Sequence, residues 1–273
     1  MKLSSKLLGL GAVLALASSH ANALVTTWDF SITSLFTSAT YNGGGGTNPG
    51  AGVGALSWGT STGQGQSSLV VGNSPATGSV DTYTGVGVPN ASPFLGISTS
   101  LTHNNKPITG TSLTAATLTN TVVLDPTVPN NGALSPQIIP FDIKFVETPN
   151  SGVCAVSGSP TPCNDIFVLT GGLLNYQFNY DALDGDGVNT YFVNIFPITG
   201  GVLGVLENTA CAAAGQANGC IGFSTPEGQS TTLAFGFTIS ANPLTVPEPD
   251  ALALMGLGLF GLAAMRRRKY VSK

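Results

Sequence analysis

A short run of the sequence has the spacing that a nucleophilic serine requires. Gly59-Thr60-Ser61-Thr62-Gly63 matches the G-x-S-x-G turn of hydrolases, and Asp81 and His103 follow it in hydrolase order. That turn needs a strand before the serine and a helix after it, but Gln64 to Ser68 is a poor helix former. In a domain this rich in Gly, Ser and Thr such a match is expected by chance. We therefore predict no catalytic residues and no enzymatic activity.

Three aspartates could supply oxygen ligands to Ca²⁺. Asp181, Asp184 and Asp186 lie close together, but an EF-hand loop needs an oxygen ligand where Val188 stands and a closing glutamate that is missing. The dipeptides Asp184-Gly185 and Asp186-Gly187 are also ordinary hairpin turns, and we favour that interpretation over a metal site. No cofactor is predicted. A glycan hydrolase stays an alternative, because two carboxylates brought together by folding leave no spacing signature.

His103 is one of two histidines and the only one outside the N-terminal 23 residues. A single imidazole excludes His-pair metal sites and leaves at most one base. Its neighbours Thr102 and Asn104 suit a strand end, where their side chains can bond backbone groups. The trio is therefore predicted to be a structural motif, with a sugar-binding role as the alternative.

The elements that must position these residues are β-strands. Leu233, Phe235, Phe237 and Ile239 alternate with small or polar residues, a period of two that predicts a strand with one wet face. The same pattern occurs at 28–32 and 141–145. Further candidate strands are 54–59, 67–72, 94–102, 113–124, 166–180 in two parts, and 188–198. Many strands with Gly, Asn and Pro turns predict an all-β antiparallel sandwich or jelly roll.

Other segments carry weaker patterns. Only 207–217, rich in alanine, is predicted to form a short helix. The Gly-rich stretch 42–66 is predicted to be a long loop or a flexible hairpin, and 242–249 a Pro-containing linker that a protease can reach in extended form.

Both ends of the chain look like targeting segments. Lys2 and Lys6, an apolar stretch from Leu7 to Ala17 and the cleavage site Ala21-Asn22-Ala23 predict a secretory signal peptide over residues 1–23. Near the other end, Ala251 to Met265 is hydrophobic and would span about 22 Å as a transmembrane helix, which is short for a bilayer of about 30 Å. Basic residues 266–269 follow it and favour the cytoplasmic side, so residues 24–245 are predicted to be one exported domain.

The composition of the exported part excludes some partners. Lys106 and Lys144 are the only basic residues from 24 to 249, against 12 acids (13 in the chain less Asp250), a net charge of 2 − 12 = −10. Such a surface is not expected to bind nucleic acid or anionic lipid.

Four cysteines form two pairs with the same spacing: Cys154 with Cys163, and Cys211 with Cys220. In an exported chain this spacing favours two local disulfides, although three pairings are formally possible. Zinc is the alternative, but ligand spacings of two to four are absent and no histidine lies nearby.

The end of the chain has three ordered parts: Val246-Pro247-Glu248-Pro249, the glycine-punctuated segment 251–265 and the basic cluster 266–269. This order resembles the PEP-CTERM sorting signal of bacterial exported proteins. The resemblance implies export through the Sec translocon, transient insertion of 251–265 in the inner membrane, and cleavage by an exosortase near Pro247, Glu248 and Pro249. Residues 246–273 would then be a sorting signal; a permanently tail-anchored membrane protein is the alternative.

Leu101-Thr102-His103-Asn104-Asn105 is similar to the signature of the THxN group of PEP-CTERM proteins. Three other segments support this similarity: 56–59, 191–197 and 220–227. The group implies no particular activity. We expect a non-catalytic protein of the cell surface or extracellular matrix, associated with exopolysaccharide in biofilm. A carbohydrate-binding, lectin-like module is the alternative, in which Trp58 and Tyr41 would stack on sugar rings while Trp28 points into the core.

Overall fold

The computed structural model describes residues 24–43, 52–130, 132–159, 161–171, 174–181, 187–198 and 202–245. This part of the chain is almost entirely β-structure, which confirms the predicted fold class. Its elements are β1 (Thr27–Asn42), β2 (Ala55–Trp58), β3 (Thr60–Ser61), β4 (Ser67–Gly72), β5 (Ala76–Asp81), β6 (Gly96–Asn104), β7 (Ile108–Thr109), β8 (Ser112–Val128), β9 (Gln137–Val146), β10 (Asp165–Leu169), β11 (Tyr176–Asp181), β12 (Val188–Pro197), β13 (Gly204–Val205), α1 (Asn208–Ala213), β14 (Ile221–Thr225) and β15 (Ser230–Ser240).

Two large antiparallel sheets contain most of the strands. The first sheet has the order β13-β14-β10-β9-β8-β1-β5, and the second has the order β11-β12-β15-β6-β4-β2. A small third sheet pairs β3 with β7. Since neighbours in a sheet are often distant in sequence, as with β15 beside β6, the fold depends on long-range pairing.

Aromatic side chains from the inner faces of the two sheets form the core between them. Trp28 of β1 makes edge-to-face contacts with three rings of the second sheet: Phe178, Tyr180 and Tyr191. Its indole N–H donates to the Thr82 hydroxyl at 2.8 Å, so its polar atom is also satisfied. Trp28 therefore points into the core, as its alternation with polar neighbours predicts.

Most predicted strands are present, and so is the short helix, which covers 208–213 of the predicted 207–217. The Gly-rich stretch follows the hairpin alternative, because β2 pairs with β4 in antiparallel register. Three strands of the two large sheets were not predicted: β5, β13 and β14. In β5 (ATGSVD) and β14 (IGFST), small residues and glycine interrupt the alternation of apolar side chains.

The two disulfides join Cys154 to Cys163 and Cys211 to Cys220, which confirms the predicted pairing. The loop closed by the first disulfide contacts the segment that leads into the second: Ser157 N donates to the Glu207 carboxylate at 2.9 Å, and the Thr209 hydroxyl donates to Ala155 O. Together they cover the outer face of β10, where Ile166 and Val168 are fully buried in a second, smaller apolar cluster. This explains why β10 is apolar on both faces.

Removing the second disulfide, with Cys211→Ser and Cys220→Ser together, is expected to lower the free energy of unfolding by about 2.5–3 kcal/mol. The sequence separation is 9 residues, and a loop of that size loses about this much entropy in the unfolded chain when it is cross-linked. Urea unfolding of the oxidised protein and the double variant measures the difference. Equal midpoints would contradict the expectation.

Among the described residues, no helix is both long and apolar enough to cross a bilayer. The segment 251–265, predicted to be a short transmembrane helix, lies outside those residues, and so does the predicted signal peptide.

Candidate functional site

The predicted trio Thr102, His103 and Asn104 lies at the end of β6, in the middle of the second sheet. Because side chains alternate along a strand, the trio divides between two faces. His103 points into the core and is fully buried, whereas Thr102 and Asn104 lie on the outer face. The three side chains therefore cannot act on one ligand.

The outer face around Thr102 and Asn104 is polar and uncharged. The Asn104 amide donates to the Ser68 hydroxyl at 3.0 Å and accepts from the Ser230 hydroxyl at 2.6 Å. At the neighbouring cross-strand pair on the same face, the Thr102 and Thr232 hydroxyls lie 2.9 Å apart. These five residues, Ser68, Thr102, Asn104, Ser230 and Thr232, form what we call the hydroxyl face.

On the inner side, aromatic rings enclose His103. Its imidazole stacks on Trp58, with centroids 5.9 Å apart and planes at 9°, and meets Phe145 edge-on at 4.9 Å. Neither ring nitrogen has a hydrogen-bond partner, and Nε2 lies 3.9 Å from Asp165 Oδ2, too far for a hydrogen bond. Burial lowers the pKa of His103 to about 3, so the imidazole is neutral.

Three acids meet beside this histidine: Glu147 after β9, Asp165 at the start of β10 and Glu227 after β14. We call them the carboxyl cluster. Asp165 Oδ1 accepts from the Thr148 amide at 2.9 Å, and Glu147 Oε2 accepts from the Trp58 indole at 3.0 Å. The remaining oxygens of the cluster are inaccessible to solvent and have no hydrogen-bond partner. Such an arrangement is unfavourable for three ionised groups.

Burial is the main reason that the cluster holds protons. Desolvation, with repulsion between the acids, raises the pKa of Asp165 to about 9 and that of Glu147 to about 7. Desolvation also raises the pKa of Glu227, while Lys106 opposes the shift by attraction. Asp165 is therefore protonated at neutral pH, beside a neutral His103.

Two polar side chains extend this buried site. The Asn105 amide donates to Thr225 O at 2.9 Å, but Asn105 Oδ1 and the Thr225 hydroxyl have no partner. Glu147 also lines a cleft of about 440 Å³ with Lys144 and Gln216. Within the described ranges, no three His, Cys, Asp or Glu side chains are placed to hold a metal ion.

The match to a serine hydrolase turn has no helix after the serine. Ser61 ends the two-residue strand β3, and its hydroxyl accepts hydrogen bonds from the amides of Gly63 and Gly65 in the loop that follows. Gly59 has φ +78°, and a Cβ there would lie 2.3 Å from Ile108 Cδ1. This glycine therefore serves the close approach of β7 to the turn after Trp58.

The suggestion that Trp58 is an exposed sugar-stacking residue is wrong. Trp58 is only 1 % exposed, because β2 alternates and turns Leu56 and Trp58 inward. Its indole packs on Phe145 and His103 and bonds Glu147. Tyr41, the second candidate, is partly buried and packs against the core. The pairing of β2 with β4 confirms the candidate strand at 54–59, and the alternation along it places Trp58 inside.

Other predicted site residues lie partly outside the described ranges. Asp181 ends β11 and pairs with Val188 of β12 in antiparallel register. Asp184 and Asp186 are outside the described residues, as are Pro247, Glu248 and Pro249.

The carboxyl cluster was not predicted from the sequence. Its members are separated by 18 and 62 residues (165 − 147 and 227 − 165), and only the pairing of β9, β10 and β14 unites them. No local pattern could have indicated the site.

Comparison with protein families matches residues 245–269 to the PEP-CTERM protein-sorting motif. The motif defines the chain as an exported protein with a membrane-anchored precursor and a tail processed by an exosortase, which then reaches the surface. No curated protein matches the chain.

Proposed function

We propose that this protein is a non-catalytic component of the bacterial cell surface or extracellular matrix that associates with exopolysaccharide through its hydroxyl face. The observation that carries the proposal is the cross-strand row Ser230, Asn104 and Ser68, with Thr232 and Thr102 beside it. Hydroxyls and amides both donate and accept, as recognition of sugar hydroxyls requires.

Charge distinguishes this face from the outer face of the first sheet. There, Asp29 of β1 lies directly opposite Asp125 of β8, and Asp142 is also exposed. With a net charge of −10 on residues 24–249, an anionic polysaccharide would be repelled from that side. The uncharged hydroxyl face is the part of the body where a polysaccharide of either charge can approach.

Membership of the THxN group is part of this proposal. Thr102 and Asn104 would supply the contact face, and His103 would hold β6 from inside. Association with biofilm and arrival at the surface through the Sec translocon complete the proposed role.

The double variant Thr102→Val with Asn104→Ala is expected to reduce retention on exopolysaccharide from the producing strain about thirtyfold, because each of the two residues loses a hydrogen bond that contributes about 1 kcal/mol. Cosedimentation of the exported protein with purified polysaccharide measures this. The matched control, Thr117→Val with Thr119→Val, changes hydroxyls on the first sheet and should retain wild-type binding.

Equal loss in both double variants, or no retention of the wild type, would contradict the proposal. Release of reducing sugar that disappears in Glu147→Gln or Glu227→Gln would instead support a glycan hydrolase.

A further inference from the structure

The last described residues, 241–245, are bonded to the body of the domain and do not form a free linker. We call them the strap. It runs beside residues 83–86 through four hydrogen bonds: Ala241 N to Tyr83 O at 2.9 Å, Asn242 Nδ2 to Thr84 O at 2.9 Å, and Thr245 N and Oγ1 to Val86 O at 2.6 Å and 3.1 Å. The predicted linker at 242–249 is therefore wrong for 242–245, and 246–249 lie outside the described residues.

A single side chain clamps the strap on its other side. Asn175 Oδ1 accepts from Leu244 N at 2.6 Å, and Asn175 Nδ2 donates to Leu244 O at 2.9 Å. Leu244 is only 4 % exposed, so its side chain is held as well as its backbone. Asn175 has φ +61°, a conformation that asparagine tolerates better than most residues.

A second asparagine fixes the clamp in place. Asn175 N donates to Asn194 Oδ1 at 2.7 Å, and Asn194 Nδ2 donates to the Ser240 hydroxyl at 3.0 Å. The Ser240 hydroxyl in turn donates to Asn242 O of the strap at 2.7 Å. The strap is therefore bonded to residues 83–86 on one side and, through Asn175 and Asn194, to the second sheet on the other.

The clamp matters because the sorting motif begins at residue 245, which is itself part of the strap. A protease binds its substrate as an extended chain on both sides of the bond that it cleaves, and backbone groups bonded within a folded domain are not available to it. A cut near Pro247-Glu248-Pro249 leaves at most a few residues between the strap and the cleaved bond.

We propose that Asn175 is a positioning residue for processing of the tail: its clamp on Leu244 holds the strap closed and slows cleavage by the exosortase until the strap opens. Trimming is thereby coupled to a local opening of the domain edge. Chains cut before the strap closes are processed quickly, and chains that fold first are processed at the rate of opening.

The test uses the full chain in an exosortase-containing host, with pulse-labelling and intact mass to follow conversion of precursor to trimmed protein. Asn175→Gly keeps the positive φ and removes both hydrogen bonds, so conversion is expected to be about tenfold faster. Leu244→Ala removes the buried side chain of the strap and should also accelerate conversion. Asn179→Gly is the matched control, because Asn179 is exposed on β11 and its side chain accepts a hydrogen bond from the Thr190 hydroxyl. This variant should be converted at the wild-type rate.

A spacer distinguishes access from general destabilisation. Insertion of Gly-Ser-Gly-Ser between Thr245 and Val246 leaves the clamp intact and should accelerate conversion as much as Asn175→Gly, with no further gain when the two are combined. Glu248→Ala should block conversion in every background, because it alters the motif itself. Unchanged or slower conversion in Asn175→Gly overturns the proposal, and so does an acceleration by Asn175→Gly that the spacer does not reproduce.

Discussion

Raising the pH from 6.5 to 9 is expected to lower the free energy of unfolding by on the order of 2–3 kcal/mol. The folded pKa of Asp165 is raised to about 9 and that of Glu147 to about 7, above the values near 4 of the unfolded chain. The folded protein therefore binds more protons than the unfolded chain in this range, and stability falls as the pH rises. Urea unfolding at several pH values measures the slope.

The variant Asp165→Asn is expected to remove most of this pH dependence and to unfold at higher urea concentration than wild type at pH 9. The amide keeps an oxygen to accept from Thr148 and adds a donor beside Glu147. Asp142→Asn, at an exposed carboxylate, is the control and should keep the wild-type profile. A flat profile in the wild type would show that the cluster is ionised or hydrated in the folded protein.

On the acid side, His103 gives the opposite trend. Its folded pKa, lowered to about 3, means that the unfolded chain binds the extra proton as the pH falls through 6.5. The histidine therefore stabilises the fold above pH 6.5 and loses that contribution toward pH 3. Between pH 4 and 6.5 its effect opposes that of the acids, which is why the clearest slope is expected above 6.5.

Trp58→Ala is expected to destabilise the domain by about 3–5 kcal/mol, because it empties a core position and removes the ring on which His103 stacks. It also leaves Glu147 Oε2 without its indole donor. Thermal unfolding of the exported protein measures the loss.

Trp58→Phe separates the two contributions. It keeps an aromatic ring against Phe145 and loses only the hydrogen bond and part of the packing, so about 1–3 kcal/mol is expected. Retention on polysaccharide per folded molecule should be unchanged in both variants. A stable Trp58→Ala protein with reduced retention would instead restore the interpretation of Trp58 as a sugar-stacking residue.

The sequence was informative about elements with one wet face. Strands such as β9, where the buried Phe141, Ile143 and Phe145 alternate with more exposed residues, could be located because burial on one side imposes a period of two. The same period located β15, but the wet face predicted for it is wrong, because residues 235–240 are buried on both faces. The strands β5 and β14 could not, since glycine and serine replace part of the apolar row. The pairing of β6 with both β4 and β15 could not be predicted either, because strand order depends on contacts between distant segments.

The candidate site was predicted only in part. Thr102, His103 and Asn104 were singled out as a strand-end motif, and the structure places them there, but the local pattern did not show which face each residue occupies. Trp58 was placed in a candidate strand at 54–59 and also in a Gly-rich stretch, and the pattern did not show that its side chain is buried. Glu147, Asp165 and Glu227 are ordinary acids in the sequence, and burial raises their pKa values only after three strands have paired.

The disulfide loops over β10 have a consequence for export. Before translocation the cysteines are reduced, and these loops lack the cross-links that hold them over Ile166 and Val168. We expect the chain to complete this edge of the sheet only in an oxidising compartment. Slow folding in the cytoplasm would keep the polypeptide unfolded enough to pass through the secretion channel. Formation of the disulfides beyond the membrane would then stabilise the folded state.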